Sequence, residues 1–69
     1  MTNPEIDLAG NKRWYNSNDK LHRDDGPAII YANGDKYWWK NGKQHREDGP
    51  AIEFVLGYKA WYINGKKIE

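Results

Sequence analysis

Apolar and polar residues alternate along this chain in short segments that end at glycine or proline. Residues 27–31 are Pro-Ala-Ile-Ile-Tyr, residues 36–40 are Lys-Tyr-Trp-Trp-Lys, and Asn33-Gly34 lies between them as a turn signal. Such alternation with a period of two is typical of β-strands, whereas no window has apolar residues at positions i, i+3, i+4 and i+7. The pattern therefore predicts an all-β fold with little or no helix.

Tight turns are predicted between these strands. Asn-Gly is the preferred dipeptide of two-residue type I′ hairpin turns, because both central residues of that turn need a positive φ. Strands joined by tight turns lie side by side in chain order, so the pattern predicts a single-layer antiparallel meander. The predicted turns are Asn18-Asp19, Asn33-Gly34, Asn41-Gly42, Leu56-Gly57 and Asn64-Gly65.

The sequence repeats with a period of 23 residues. Residues 11–33 and 34–56 align without gaps and share nine identities, and residues 57–69 share six identities with residues 34–46. The unit is Gly-x-Lys-x-Trp-x-x-Asn-Gly-Lys-x-His-Arg-x-Asp-Gly-Pro-Ala-Ile. Self-similarity at such a period indicates stacked repeats of one small unit. We expect an N-terminal tail at 1–3 and a single domain at 4–69, made of about three hairpin units at 4–33, 34–56 and 57–69.

Alternation also assigns side chains to the two faces of the sheet. In the ungapped alignment, one face carries an aromatic ladder that we expect to be buried, made of Tyr15, Trp38 and Trp61. The second strand of each unit places three isoleucines in one register, Ile6, Ile29 and Ile52. A single layer leaves one aromatic face uncovered, which predicts a partner or a second copy. The residues expected there are Trp14, Tyr37, Trp39 and Tyr62.

Composition and charge restrict the class of function. The 69 residues include 11 lysines and arginines against 10 acidic residues, a net charge of +1. These charges are spread along the chain, whereas nucleic-acid-binding proteins usually carry a basic stripe. The chain has no cysteine and no apolar segment near the ~18 residues of a membrane helix. We therefore expect no disulfide, no membrane span and a cytoplasmic location.

Residues 36–45, followed by a glycine and an alternating strand, resemble the MORN repeat, a β-hairpin unit with an aromatic, Asn-Gly-Lys, His pattern. Residues 45–51, His-Arg-Glu-Asp-Gly-Pro-Ala, depart from the common MORN unit, which is tighter and glycine-rich. This variant is similar to the His-Arg-x-Asp-Gly-Pro-Ala repeat proteins of phages and large viruses. The resemblance implies a repeated hairpin sheet that serves as a scaffold, a dimeriser or a partner-binding surface, in the host cytoplasm if the protein is viral.

The His-Arg-x-Asp-Gly segments hold the residue types with most potential for chemistry. His22 and His45 could share a metal ion only if neighbouring repeats bring them together with carboxylates. We favour a structural role, in which Asp25 and Asp48 accept backbone N–H groups and the following proline directs the chain. The segment also lacks the companion motifs of a kinase catalytic loop. We predict no catalytic residue, no metal site, no cofactor and no enzymatic activity.

A protein-binding module is the function that the sequence favours, because Trp, Tyr and Arg supply most of the binding energy at interfaces. The resemblance to phage proteins implies a small phage-encoded inhibitor of a host enzyme or defence complex, such as an anti-CRISPR protein. Two alternatives stay open, namely binding of single-stranded nucleic acid by stacked aromatics and a homodimeric scaffold. The predicted partner-binding residues are Trp14, Tyr37, Trp39, Tyr62, Arg23 and Arg46.

Overall fold

A computed structural model describes residues 4–68 as antiparallel β-structure joined by turns, and these residues contain no helix. Nine short strands are formed. They are β1 (Glu5–Ile6), β2 (Lys12–Arg13), β3 (Ile29–Ile30), β4 (Lys36–Tyr37), β5 (Trp39–Lys40), β6 (Lys43–Gln44), β7 (Ile52–Glu53), β8 (Lys59–Ile63) and β9 (Lys66–Ile68). The described residues thus include no helix that could span a membrane. The predicted tail at residues 1–3 and Glu69 lie outside the described residues.

The strands follow one another across a seven-stranded sheet in the order β1-β2-β3-β4-β7-β8-β9, and β5 and β6 form a separate hairpin. Every pair is antiparallel. The predicted all-β, single-layer meander is therefore confirmed.

One end of the sheet is closed by three loops of the same design, at residues 7–11, 31–35 and 54–58. In each loop the carbonyl of the first residue accepts a hydrogen bond from the N–H of a glycine three residues later, at distances of 2.9 to 3.0 Å. These glycines, Gly10, Gly34 and Gly57, have φ values of 90°, 101° and 107°. This is a type I turn followed by a left-handed residue, which favours glycine. The turns predicted at Asn33-Gly34 and Leu56-Gly57 are confirmed.

The opposite end of the sheet carries the hairpin turns. Asn41-Gly42 has φ values of 50° and 80°, and Asn64-Gly65 has 51° and 83°, so both central residues are left-handed as a type I′ turn requires. The first hairpin differs, because only Asp19 is left-handed, with φ 61°, and its N–H bonds to the carbonyl of Asn16 at 3.0 Å. This loop is one residue longer than a type I′ turn.

The longer first loop shifts the register of the N-terminal strands by one residue. Trp14 donates its N–H to Ala28 at 2.8 Å, and Trp38 donates to Ala51 at 2.7 Å, so Trp14 is the structural equivalent of Trp38. The prediction that Tyr15 belongs to this ladder is therefore wrong. Ile6 is likewise displaced from the buried isoleucine register and is 59% exposed.

The faces of the sheet follow from the cross-strand pairs. Tyr37 lies between Ile29 and Ile52, and Ile52 also pairs with Ala60. We call this side the aromatic face. The opposite side, which we call the lysine face, carries Lys12, Ile30, Lys36, Glu53 and Lys59. The buried apolar residues are few, namely Trp14, Ala28, Ile29, Ala51, Ile52 and Ala60.

Candidate functional site

The first and second connectors, residues 22–28 and 45–51, each begin with a histidine that holds the next hairpin. Nδ1 of His22 accepts the N–H of Asn41 at 3.0 Å, and Nδ1 of His45 accepts the N–H of Asn64 at 3.0 Å. Because Nδ1 is an acceptor, the ring proton is on Nε2. Nε2 faces the carboxylate of Asp24 at 3.1 Å or of Glu47 at 3.4 Å. Both nitrogens of each ring therefore have structural partners.

The arginine that follows each histidine lies flat on a tryptophan. The guanidinium carbon of Arg23 is 3.9 Å from the centroid of Trp14, and that of Arg46 is 3.9 Å from the centroid of Trp38. Nε of Arg46 donates to Asp48 at 3.1 Å, and one terminal nitrogen donates to the carbonyl of Pro50 at 3.1 Å. Arg23 makes the same two contacts in the first connector. Such a stacked and forked contact suits arginine and not lysine.

The glycine of each connector closes this arrangement from the other side. A Cβ on Gly49 would lie 2.9 Å from the guanidinium carbon of Arg46, and one on Gly26 would lie 3.1 Å from that of Arg23. The guanidinium thus occupies a slot between an indole ring and a glycine backbone. A side chain at Gly26 or Gly49 would press on the guanidinium, most closely at Gly49.

These contacts decide what the connectors can do. Asp25 and Asp48 accept from arginine Nε, so the expectation that they accept backbone N–H groups is wrong. Arg23 and Arg46, predicted as partner-binding residues, are held within the fold. The described residues contain no group of three or more metal-ligating side chains placed to hold an ion.

A groove of about 510 Å³ runs between the two connectors, with Trp38 among its lining residues. Its basic groups are paired, since Lys40 lies 3.9 Å from Asp24 and Arg46 lies 3.1 Å from Glu53. The carboxylates on the rim are open to water, because the side chains of Asp25 and Asp48 are both 87% exposed. The connectors therefore present acidic groups outward, whereas their arginine side chains are partly buried and paired, with 24% exposure for Arg23 and 22% for Arg46.

The aromatic face carries a row of rings in contact. Tyr31 meets Tyr37 edge to face at 5.3 Å, Tyr37 meets Phe54 at 5.9 Å, and Phe54 meets Tyr58 at 5.2 Å. Burial raises the pKa of Tyr37, and the nearby Tyr31 and Asp35 add to this effect. Tyr58, at the end of the row, is 50% exposed. The row forms a continuous apolar strip that sequence reasoning anticipated only at Tyr37.

The other predicted partner-binding residues have different surroundings. Trp39 and Tyr62 are half-buried, and their carbonyls accept the N–H groups of Arg23 and Arg46 at 3.2 Å. The indole N–H of Trp39 is buried without a hydrogen-bond partner among the described residues. Trp14 is only 8% exposed beneath Arg23, so the prediction that it lies on an exposed face is wrong.

Trp61 also differs from the prediction. It was expected to be buried like Trp38, but it is 46% exposed, whereas Trp38 is half-buried beneath Arg46. Its cross-strand partner, Ile68, is exposed as well. Trp61 and Ile68 therefore form an open apolar pair on the hairpin of β8 and β9.

Comparisons of this chain with family models, with curated proteins and with solved structures give no match. The structure alone therefore indicates which surfaces are candidates for binding a partner, and there are two among the described residues. They are the ring row of the aromatic face and the Trp61–Ile68 pair. The repeated Gly-x-Lys-x-Trp segment could have revealed the equivalence of the three tryptophans, Trp14, Trp38 and Trp61. No comparable motif in the sequence indicates that Tyr31, Phe54 and Tyr58 form a row of rings.

Proposed function

We propose that this protein is a non-enzymatic protein-binding module and that its aromatic face is the contact surface. The observation that carries the proposal is the row of four touching rings from Tyr31 to Tyr58, which lies on one side of a single-layer sheet. Of the residues predicted from sequence, Tyr37 lies within this row. Trp39 lies in β5, two residues after Tyr37, and Tyr62 lies in β8, four residues after Tyr58.

Charge favours a protein partner over nucleic acid. Stacking proteins for single strands combine aromatic rings with cations that follow the phosphates. On the aromatic face, Arg13 is paired with Asp7 at 3.1 Å, and Lys67 lies opposite Tyr62, four residues beyond the end of the ring row. The exposed lysines Lys12, Lys36 and Lys59 lie on the opposite face. Among the described residues, most free lysines therefore lie away from the ring row, which is better suited to an apolar patch of a protein.

The non-enzymatic part of the proposal rests on how the reactive groups are used. Both nitrogens of His22 and His45 have structural hydrogen-bond partners, so neither ring is free to act as a general base. The phenol of Tyr37 has a raised pKa, which keeps it protonated. The resemblance to phage repeat proteins adds a biological setting, in which the module inhibits a host enzyme or defence complex by covering its surface.

The test compares matched variants on the two faces. Tyr58→Ser removes an exposed ring from the aromatic face, and Lys36→Ser removes an exposed side chain from the lysine face. We expect proteins captured from the source cells by the parent chain to be lost with Tyr58→Ser and kept with Lys36→Ser. Urea unfolding of each variant shows whether the fold is intact.

Two outcomes would contradict the proposal. Equal capture by parent and Tyr58→Ser would exclude the ring row as the contact surface. Tight binding of a single-stranded oligonucleotide, weakening steeply with salt, would favour stacking on nucleic acid instead. Sedimentation of the parent alone tests the third possibility, a homodimer, which Tyr58→Ser should then dissociate.

A further inference from the structure

The hairpin of β8 and β9 repeats the surroundings of Trp38 but lacks its arginine. Trp61 follows Trp38 by 23 residues, and Ala60 occupies the position of Tyr37, since each accepts an N–H from the alanine of a connector at 2.8 Å. Trp14 and Trp38 each have a guanidinium 3.9 Å above the ring. No arginine of the described residues covers Trp61.

The side chains around Trp61 correspond to those around Trp38. Lys59 and Lys66 take the places of Lys36 and Lys43, and all four are exposed. Ile68 is the repeat equivalent of His45: Ile68 pairs with Trp61, and the N–H of His45 donates to the carbonyl of Trp38. The equivalent site at Trp38 therefore shows that an arginine guanidinium can stack on an indole in these surroundings.

The charges around Trp61 and Ile68 indicate what kind of arginine-containing segment could bind there. Residues 54–68 contain three lysines, Lys59, Lys66 and Lys67, and no carboxylate. Glu53, which faces Lys59 across the strands, is already bonded to Arg46 at 3.1 Å, so these lysines would repel an arginine that brings no carboxylate of its own. At the equivalent tryptophan, Trp38, the arginine is accompanied by two carboxylates, since Arg46 contacts Asp48 at 3.1 Å and Glu53 at 3.1 Å. A fitting segment must therefore carry carboxylates close to its arginine.

We propose that the surface formed by Trp61 and Ile68 binds a segment of a partner protein in which an arginine is followed closely by carboxylates. The guanidinium lies on the indole of Trp61, the aliphatic part of the segment packs on Ile68, and its carboxylates face Lys59 and Lys66. This surface is on the lysine side of the sheet, so it is distinct from the ring row of the aromatic face and does not depend on it.

The probe is a synthetic peptide with the sequence of residues 45–53, which contains the chain's own arginine and its carboxylates. Added to the full chain, it should shift the NMR signals of the Trp61 indole N–H and the Ile68 methyl groups. The same peptide with R46Q should bind at least about twofold more weakly, the factor expected for loss of a guanidinium–indole contact at an exposed site. Trp61→Ala in the protein should have a similar effect.

The controls keep the outcomes distinct. The R46Q peptide leaves the protein unchanged, so altered folding cannot imitate its effect. Tyr58→Ser on the aromatic face should bind the peptide like the parent even when it fails to capture a partner. The proposal is overturned if the Trp61 signal does not move with peptide at about 5 mM, where millimolar binding would be more than half saturated. Equal binding of the parent and R46Q peptides would overturn it as well.

Discussion

Gly49 lies directly against the guanidinium of Arg46, with so little space that a Cβ would come within 2.9 Å of its central carbon. On the other side, the guanidinium rests on Trp38. The arginine, aspartate and glycine of the connector are therefore one packing unit, because Asp48 accepts from Arg46 and Gly49 leaves the space for its guanidinium.

Gly49→Ala should destabilise the fold by about 1–3 kcal/mol, the usual cost of forcing a group into a filled space. Urea unfolding measures the change. In the double variant Gly49→Ala with Arg46→Ala, the clash is gone, so the two effects should not add. Strict additivity would show that the alanine is tolerated with Arg46 in place and that the slot is looser than described.

The three equivalent tryptophans should contribute to stability in the order of their burial. Trp14→Ala should cost about 3–5 kcal/mol, as truncation of a buried aromatic does. Trp38→Ala should cost less, and Trp61→Ala should stay near 1 kcal/mol or below, because the side chain is already 46% exposed. Urea midpoints of the three variants test this order. A large loss for Trp61→Ala would mean that this ring is packed.

His45→Ala should leave the N–H of Asn64 without its acceptor and cost about 1–3 kcal/mol. Hydrogen exchange should show loss of protection at the Asn64 amide, since that amide donates to Nδ1. His45→Asn is the matched variant, because its side-chain oxygen can take the place of Nδ1 as acceptor. If both substitutions leave this amide equally protected, the hydrogen bond does not secure the hairpin.

The first loop should make stability depend on acid pH. Hydrogen bonds from the N–H of Asn11 and from Arg13 hold the pKa of Asp7 at about 2, below its ordinary 3.8. A lowered pKa gives stability that is present above about pH 4 and is lost as the pH falls towards 2. The urea midpoints of parent and Asp7→Asn should therefore differ above pH 4 and converge in acid. A difference independent of pH would contradict this role of the carboxylate.

Much of the fold could be predicted because Asn-Gly turns and alternation are local properties. The type I′ turns at Asn41 and Asn64 are formed as predicted. The register of the first unit was missed because an ungapped alignment concealed the extra residue of the Asn16–Lys20 loop, although Gly10, Lys12 and Trp14 repeat the spacing of Gly34, Lys36 and Trp38.

The burial of each tryptophan could not be predicted in the same way. It depends on whether an arginine from the following connector reaches the ring, a contact across strands that alternation does not encode. The ring row has a similar origin, since Phe54 and Tyr58 meet only after a left-handed turn at Gly57 brings them side by side.

The turn glycines of the two later hairpins each bond to the preceding hairpin. The N–H of Gly42 binds the carbonyl of Leu21, and the N–H of Gly65 binds that of Gln44, so each later turn finds its acceptor on the hairpin before it. The turn amide of Asp19 bonds within its own loop. Each of these two later turns is therefore anchored on its neighbour, so its stability depends on the hairpin before it, as is usual for stacked repeats.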